Sequence, residues 1–185
     1  IEMDLHSYVK NSLKQSADNL VLLSQNQELQ LQLVRAAEII IESYKKGGKL
    51  LIAGNGGSAA DSQHIAAELV GKLAKDRTPL PAIALSVDSS FLTAVGNDYG
   101  YDFVFSRQIQ GHMTENDVFL AITTSGNSAN IVKALEACRK KGGKSILLSG
   151  KGGGKIKEAN LKVSDYEKVI QTQNRLRNEI AGLKE

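Results

Sequence analysis

Cysteine and proline are nearly absent from this 185-residue chain, tryptophan is absent, and histidine is scarce. One cysteine, Cys138, excludes an internal disulfide and so a disulfide-stapled scaffold. Nothing points to an oxidising compartment, and the expected location is cytoplasmic. Only His6, His64 and His112 carry imidazole, so chemistry that needs it draws on these three or on another subunit. The two prolines, Pro79 and Pro81, are too few for a rigid linker and mark the entry to a strand. No apolar run is long enough to cross a bilayer, and no signal-peptide pattern opens the sequence. A net charge of +3, evenly spread, leaves no footprint for nucleic acid.

What is present suits one globular domain spanning 1–185. Hydrophobic residues make up 42% and charged residues 23%, an ordinary balance for a packed core. Residues 1–46 read as N-terminal helices, with Leu5, Val9, Leu13, Leu20, Leu23, Leu31, Val34, Ala37, Ile40 and Ile41 near helical spacing. A polar stretch, Ser24–Gln30, divides them in two, and Gly47-Gly48 stops the second. From 47 to 157 the pattern changes. Short apolar runs at 49–54, 82–87, 118–123 and 145–150 read as strands buried on both faces. Helical stretches at 58–72, 89–112 and 128–141 lie between them. The alternation predicts a three-layer α/β sandwich with a mainly parallel sheet. Residues 164–185 read as a further helix, capped by Ser164 or Asp165, with a narrow stripe of Val169, Leu176, Ile180 and Leu183 closer to a bundle seam than to a core face.

Ligands of open parallel sheets sit beyond the carboxyl ends of the strands. Two turns there are unusual. "GNGGS" (54–58) sets Asn55 among Gly54, Gly56 and Gly57 and opens a helix at Ser58. "TTSGNS" (123–128) offers Thr123, Thr124, Ser125 and Ser128 around Gly126 at another helix start. Hydroxyls and free backbone N–H groups without a lysine suit the phosphate monoester of a small molecule. A P-loop would carry its lysine, and the dinucleotide fingerprint needs a different glycine spacing, so a kinase or dehydrogenase is disfavoured. Either turn alone is explained by ordinary helix capping; two at successive strand ends favour phosphate.

The helix after the first turn carries Asp61, His64 and Glu68 at i, i+3 and i+7, on one face. His64 and Glu68 can act together near the phosphate site: a carboxylate to move a proton next to a carbonyl, a second acid to serve the oxygen. They also make two ligands of a metal, too few for a complete site. A solvent-facing His–Glu pair is the plain alternative. In "VGNDYGYDFVFSRQ" (95–108), Asp98 is either a sugar-hydroxyl acceptor or part of an Asx-turn, and Arg107 either an anion clamp or, preferably, a surface ion pair. "GKGGGK" (150–155) reads as a flexible surface loop, and Cys138 as a small apolar residue packed on a helix.

Together, "AGNGGSAADSQHIAAEL", "VGNDYGYDFVFSRQ", "TTSGNSANIVKALE" and "LSGKGGGKI" resemble the sugar isomerase (SIS) family, most closely its phosphoheptose isomerase branch. The resemblance runs in order to about residue 157. It implies a SIS-type, flavodoxin-like sandwich in a homotetramer, with the N-terminal helices in a central bundle and active sites at subunit interfaces. The implied reaction converts sedoheptulose 7-phosphate to D-glycero-D-manno-heptose 7-phosphate through an enediol, the entry to heptose synthesis for bacterial lipopolysaccharide or surface glycans. By motif, Glu68 is the base and His64 its catalytic neighbour. Thr123, Thr124, Ser125 and Ser128 hold the phosphate. Asn55, Gly56, Gly57, Ser58, Asp98 and Gln171 bind the sugar. His64, Glu68 and Gln171 are the matching ligands of a zinc ion, one per subunit, seen in some members.

Two departures stand out. Gly71-Lys72 replaces the family's Gly-Arg, keeping the charge and losing the fork. Where the family has R-I-Q-E-x-H-I and a later histidine, this chain reads "KVIQTQNRLRNEIAGL": Gln171 matches, no histidine follows, and Glu179 sits near its place. Another acid, an inactive protein and a C-terminus foreign to the family are all compatible with that. The alternative function is a non-catalytic SIS protein that binds a phosphosugar or the replication initiator; that branch lacks the carboxylate that Glu68 supplies.

Overall fold

The computed structural model describes residues 4–158 and 166–169. Helices α1 (Leu5–Gln25) and α2 (Gln27–Lys45) come first, and the break falls inside the polar stretch as anticipated. Asn26 makes the break: its side chain accepts the Leu29 N–H at 3.0 Å, starting α2. Gln30 Nε2 donates to the Leu23 and Ser24 carbonyls at 3.1 and 2.7 Å, closing α1.

The sheet has five strands: β1 (Leu50–Gly54), β2 (Ala82–Ala84), β3 (Val118–Thr123), β4 (Lys144–Ser149) and β5 (Tyr166–Val169). Their order is β2-β1-β3-β4-β5 and every pair is parallel. Successive residues of the inner strands face opposite layers. Leu51, Ala53, Phe119, Ala121 and Leu147 meet the helices α5 (Val104–His112) and α6 (Ala129–Lys140) through Phe105, Ile109, Ile131, Leu135 and Cys138. Leu50, Ile52, Val118, Leu120 and Ile146 meet α2 and α3 (Gly57–Val70) through Ala36, Ile39 and Ala66. The anticipated three-layer sandwich is therefore present.

Three elements differ from expectation. The second strand stops at Ala84, because Asp88 turns the chain into α4 (Ser89–Asp98) by accepting the Phe91 N–H at 2.9 Å. The helix anticipated over 89–112 is two, separated by Gly100 at φ 91° and a 3-10 turn at Tyr101–Phe103. Tyr166–Val169, assigned to the C-terminal helix, is instead strand β5, paired with β4 from Ser145↔Tyr166 to Leu148↔Val169. The outer edge of β4 offers unpaired backbone groups, and tyrosine and valine favour strand. The rest of that expected helix, with its cap, Gln171 and Glu179, lies outside the described residues.

Candidate active site

The chain runs from β1 to β2 on one side, then places β3 on the other side of β1. Such a reversal opens a crevice at the carboxyl ends of the two strands. Gly54 is in register with Ile122, so the turns 54–58 and 123–128 leave the sheet side by side.

The first turn is open outward. Gly56 takes φ 57°, both Gly56 and Gly57 are exposed, and no side chain caps α3. Ser58 is half-buried, packed under Gly54. An uncapped helix start presents partial positive charge to an anion. In the second turn Thr123 is buried; its Oγ1 lies 3.3 Å from Ser128 Oγ and accepts the Gly126 N–H at 3.3 Å. Ser125 Oγ accepts the Asn127 N–H at 3.1 Å, Thr124 is exposed, and α6 also starts without a side-chain cap.

An amide ring ties the turns together. Asn55 Nδ2 donates to Asn130 Oδ1 at 2.9 Å, and Asn130 Nδ2 returns to Asn55 Oδ1 at 2.9 Å. The Tyr101 hydroxyl reaches the same Asn55 oxygen at 3.4 Å. Sequence reasoning singled out Asn55 and missed Asn130 and Tyr101, though both lie inside motifs it quoted.

Residues 150–155 are not a free surface loop. A 3-10 turn at Lys151–Gly153 and the short helix α7 (Gly154–Glu158) dock on the second turn. Lys155 N–H donates to Asn127 Oδ1 at 2.8 Å and Ile156 N–H to the Gly126 carbonyl at 3.1 Å. Gly126, at φ 65°, sits so close that a Cβ there would run into the Gly153 carbonyl. The anchor is the fully buried Ile156, one apolar residue hidden in a glycine- and lysine-rich run.

His64 Nε2 and Glu68 Oε1 are 3.7 Å apart on one face of α3, the side chains 77% and 33% exposed. At 1.5 Å per residue they lie about 9 and 15 Å down the helix axis from Ser58. One chain thus joins the two turns to each other and sets the carboxylate well away from both. Asp98, the last residue of α4, is exposed and accepts from Asn97 Nδ2 at 2.9 Å. Among the described residues Arg107 forms no ion pair, the preferred expectation; its guanidinium stacks 4.1 Å from the Tyr99 ring centroid. Arg77, which sequence reasoning passed over, holds the far end of α3: Nη2 donates to the Glu68 carbonyl at 2.9 Å and Nη1 to that of Leu69 at 2.8 Å.

For a metal, His64 and Glu68 give one nitrogen and one oxygen donor. No group of three or more His, Cys, Asp or Glu able to hold an ion occurs among the described residues. The third expected ligand, Gln171, lies outside them.

A family model described as SIS domain matches residues 15–150. A phosphoheptose isomerase from Rhodospirillum rubrum is 55% identical over 126 residues, 68% of this chain and 67% of the relative. One from Aneurinibacillus thermoaerophilus is 47% identical over 152 residues, 82% of this chain and 77% of the relative. The solved structure of phosphoheptose isomerase GmhA from Neisseria gonorrhoeae superposes with a TM-score of 0.73 at 40% identity, covering 89% of this chain and 83% of that one.

Proposed function

The chain belongs to the SIS domain family, and from that membership and the phosphoheptose isomerase names of its relatives we propose that it interconverts sedoheptulose 7-phosphate and D-glycero-D-manno-heptose 7-phosphate. The observation that carries the reading is the pair of uncapped helix starts at the β1/β3 crevice, one lined by Thr123, Ser125 and Ser128. The phosphate is held there by hydroxyls and N–H groups, with Thr124 at the rim. Asn55, Gly56, Gly57, Ser58 and Asp98 position the sugar, with Gln171.

The reaction moves one proton between adjacent carbons. Glu68 takes the proton from C1 of the ketose, the C1–C2 enediol forms, and Glu68 returns the proton to C2 while the hydroxyl proton passes from O1 to O2. His64, within reach of Glu68, handles the oxygen proton. Because Glu68 lies about 15 Å along α3 from the first turn, the sugar phosphate bridges two chains: turns from one, carboxylate from its neighbour in a homotetramer. His64 and Glu68 are the donors present for zinc, one ion per subunit, to be completed by Gln171; bound there, zinc would polarise the sugar carbonyl. In the cytoplasm the product would feed heptose synthesis for lipopolysaccharide or surface glycans. A non-catalytic phosphosugar- or initiator-binding role has no use for a carboxylate at position 68.

Incubation with sedoheptulose 7-phosphate, with and without added zinc, should yield the aldose. Glu68→Gln should abolish turnover and leave the assembly intact; undiminished turnover in that variant removes Glu68 as the base.

A further inference from the structure

Glu68 stands in the last turn of α3, where the final carbonyls of a helix have no partner inside it. Unpartnered, such a turn frays, and a side chain on it is held loosely. Here the following loop supplies the partners. Gly71 N–H donates to the Ala67 carbonyl at 2.8 Å and Leu80 N–H to that of Leu69 at 3.0 Å. Arg77 adds side-chain donors: Nη2 to the Glu68 carbonyl at 2.9 Å, Nη1 to that of Leu69 at 2.8 Å, and Nη1 again to that of Thr78 at 3.1 Å within its own loop. The last turn of α3 has no basic residue of its own, so Arg77 brings the cation that complements the negative end of the helix. A planar guanidinium grips two successive carbonyls at once, which an ammonium does not.

We infer that Arg77 is a positioning residue for the Glu68 carboxylate. It touches the Glu68 backbone and fixes the turn from which the side chain projects. The inference rests on Glu68 being the proton carrier. Phosphate is gripped by the turns at 54–58 and 123–128, which reach each Glu68 from a neighbouring chain and are remote from Arg77 at the end of α3, so losing Arg77 should leave substrate binding alone and slow the proton transfer. A carboxylate displaced by about 1 Å loses on the order of 100-fold in rate.

The test compares Arg77→Gln, Arg77→Lys and Glu68→Gln with sedoheptulose 7-phosphate. Arg77→Gln should lower kcat about 10- to 100-fold with KM within about twofold, and Arg77→Lys should fall between it and the parent. A parental kcat in Arg77→Gln, a change in KM alone, or a lysine variant no better than glutamine overturns the inference. Should Arg77→Gln fail to assemble, Arg77→Lys carries the test, and an unchanged kcat there overturns it. The two readings separate cleanly. Turnover surviving in Glu68→Gln defeats the proton-carrier reading; an inactive Glu68→Gln beside a fully active Arg77→Gln defeats the positioning of Glu68 by Arg77 alone.

Discussion

At the scale of single residues, chemistry here is decided by what the fold packs around each side chain. Cys138 shows the simplest case. It is fully buried, its Sγ 3.5 Å from the Gly143 and Lys144 carbonyls, and burial pushes its thiol up to about 12. Only the thiolate reacts, so the native protein at pH 8 should resist maleimide and take up one label per chain once unfolded in denaturant. Rapid native labelling would contradict the packing. Asn130 is the subtler case. Asn130→Asp would set an oxygen against Asn55 Oδ1 and add charge beside the proposed phosphate site. The lost bond and opposed acceptors should cost about 1–3 kcal/mol in stability, read by denaturant melts, and KM for the sugar phosphate should rise. His64 and Glu68 were legible because four residues apart on a helix is a fixed geometry. Asn130 was not, since its partner is 75 residues away, and Arg77 was not, since a loop arginine meets a helix end only once the loop has folded back.

At the scale of elements, the inner strands and helices were readable because burial imposes a period on the sequence, whereas the loops between them answer to no period. That is why "GKGGGK" looked free while it buttresses the turn at 123–128. Gly126→Ala would force a side chain into a left-handed conformation and against Gly153, so the turn must distort or release the loop. A lower melting temperature and weaker sugar-phosphate binding should appear together. Ser125→Ala, by contrast, should weaken phosphorylated ligands with little loss of stability, because the Asn127 N–H that it frees is exposed to water; an equal loss for an unphosphorylated sugar would contradict the phosphate role. The amino ends of the inner strands β1 and β3 have their own staple. Buried Asp117 accepts from Lys49 N–H at 2.8 Å, Lys49 Nζ at 2.7 Å and Thr114 N–H at 2.7 Å, joining the entry to β1 with the end of α5. Burial alone would raise its carboxyl, but these bonds outweigh it and hold the group below its ordinary 3.8. A depressed carboxyl stabilises the fold above its unfolded value, and that stability is lost as pH falls through the folded one. Asp117→Asn should therefore cost about 2–3 kcal/mol at pH 7, with the gap to the parent closing below about pH 4.

At the scale of the whole molecule, the separation of Glu68 from the two turns and the bareness of α1 point the same way. Leu5, Leu13 and Leu20 are each 67% exposed, Tyr8 and Val9 more than half, and α1 buries no residue within its own chain. Leu31, Val34 and Ile41 extend the apolar surface onto α2. A bundle of such helices from several copies would cover that surface, and would also bring the end of one α3 toward the crevice of another. If each site is shared, two defects placed in different chains must compensate. Glu68→Gln supplies sound turns and no base; Thr123→Ala with Ser125→Ala supplies a base and no phosphate grip. Each preparation alone should be nearly inactive. Dissociated and reassembled together, they should regain turnover, because some sites then draw sound turns from one chain and Glu68 from the other. Activity no greater than the sum of the parents would mean that turns and carboxylate serve one another within a chain, which the length of α3 opposes. Light scattering of the parent should give four chain masses, and Leu13→Glu with Leu20→Glu should give smaller species that keep the far-ultraviolet circular dichroism of the sandwich, whose core is buried without α1, and lose turnover with the shared site.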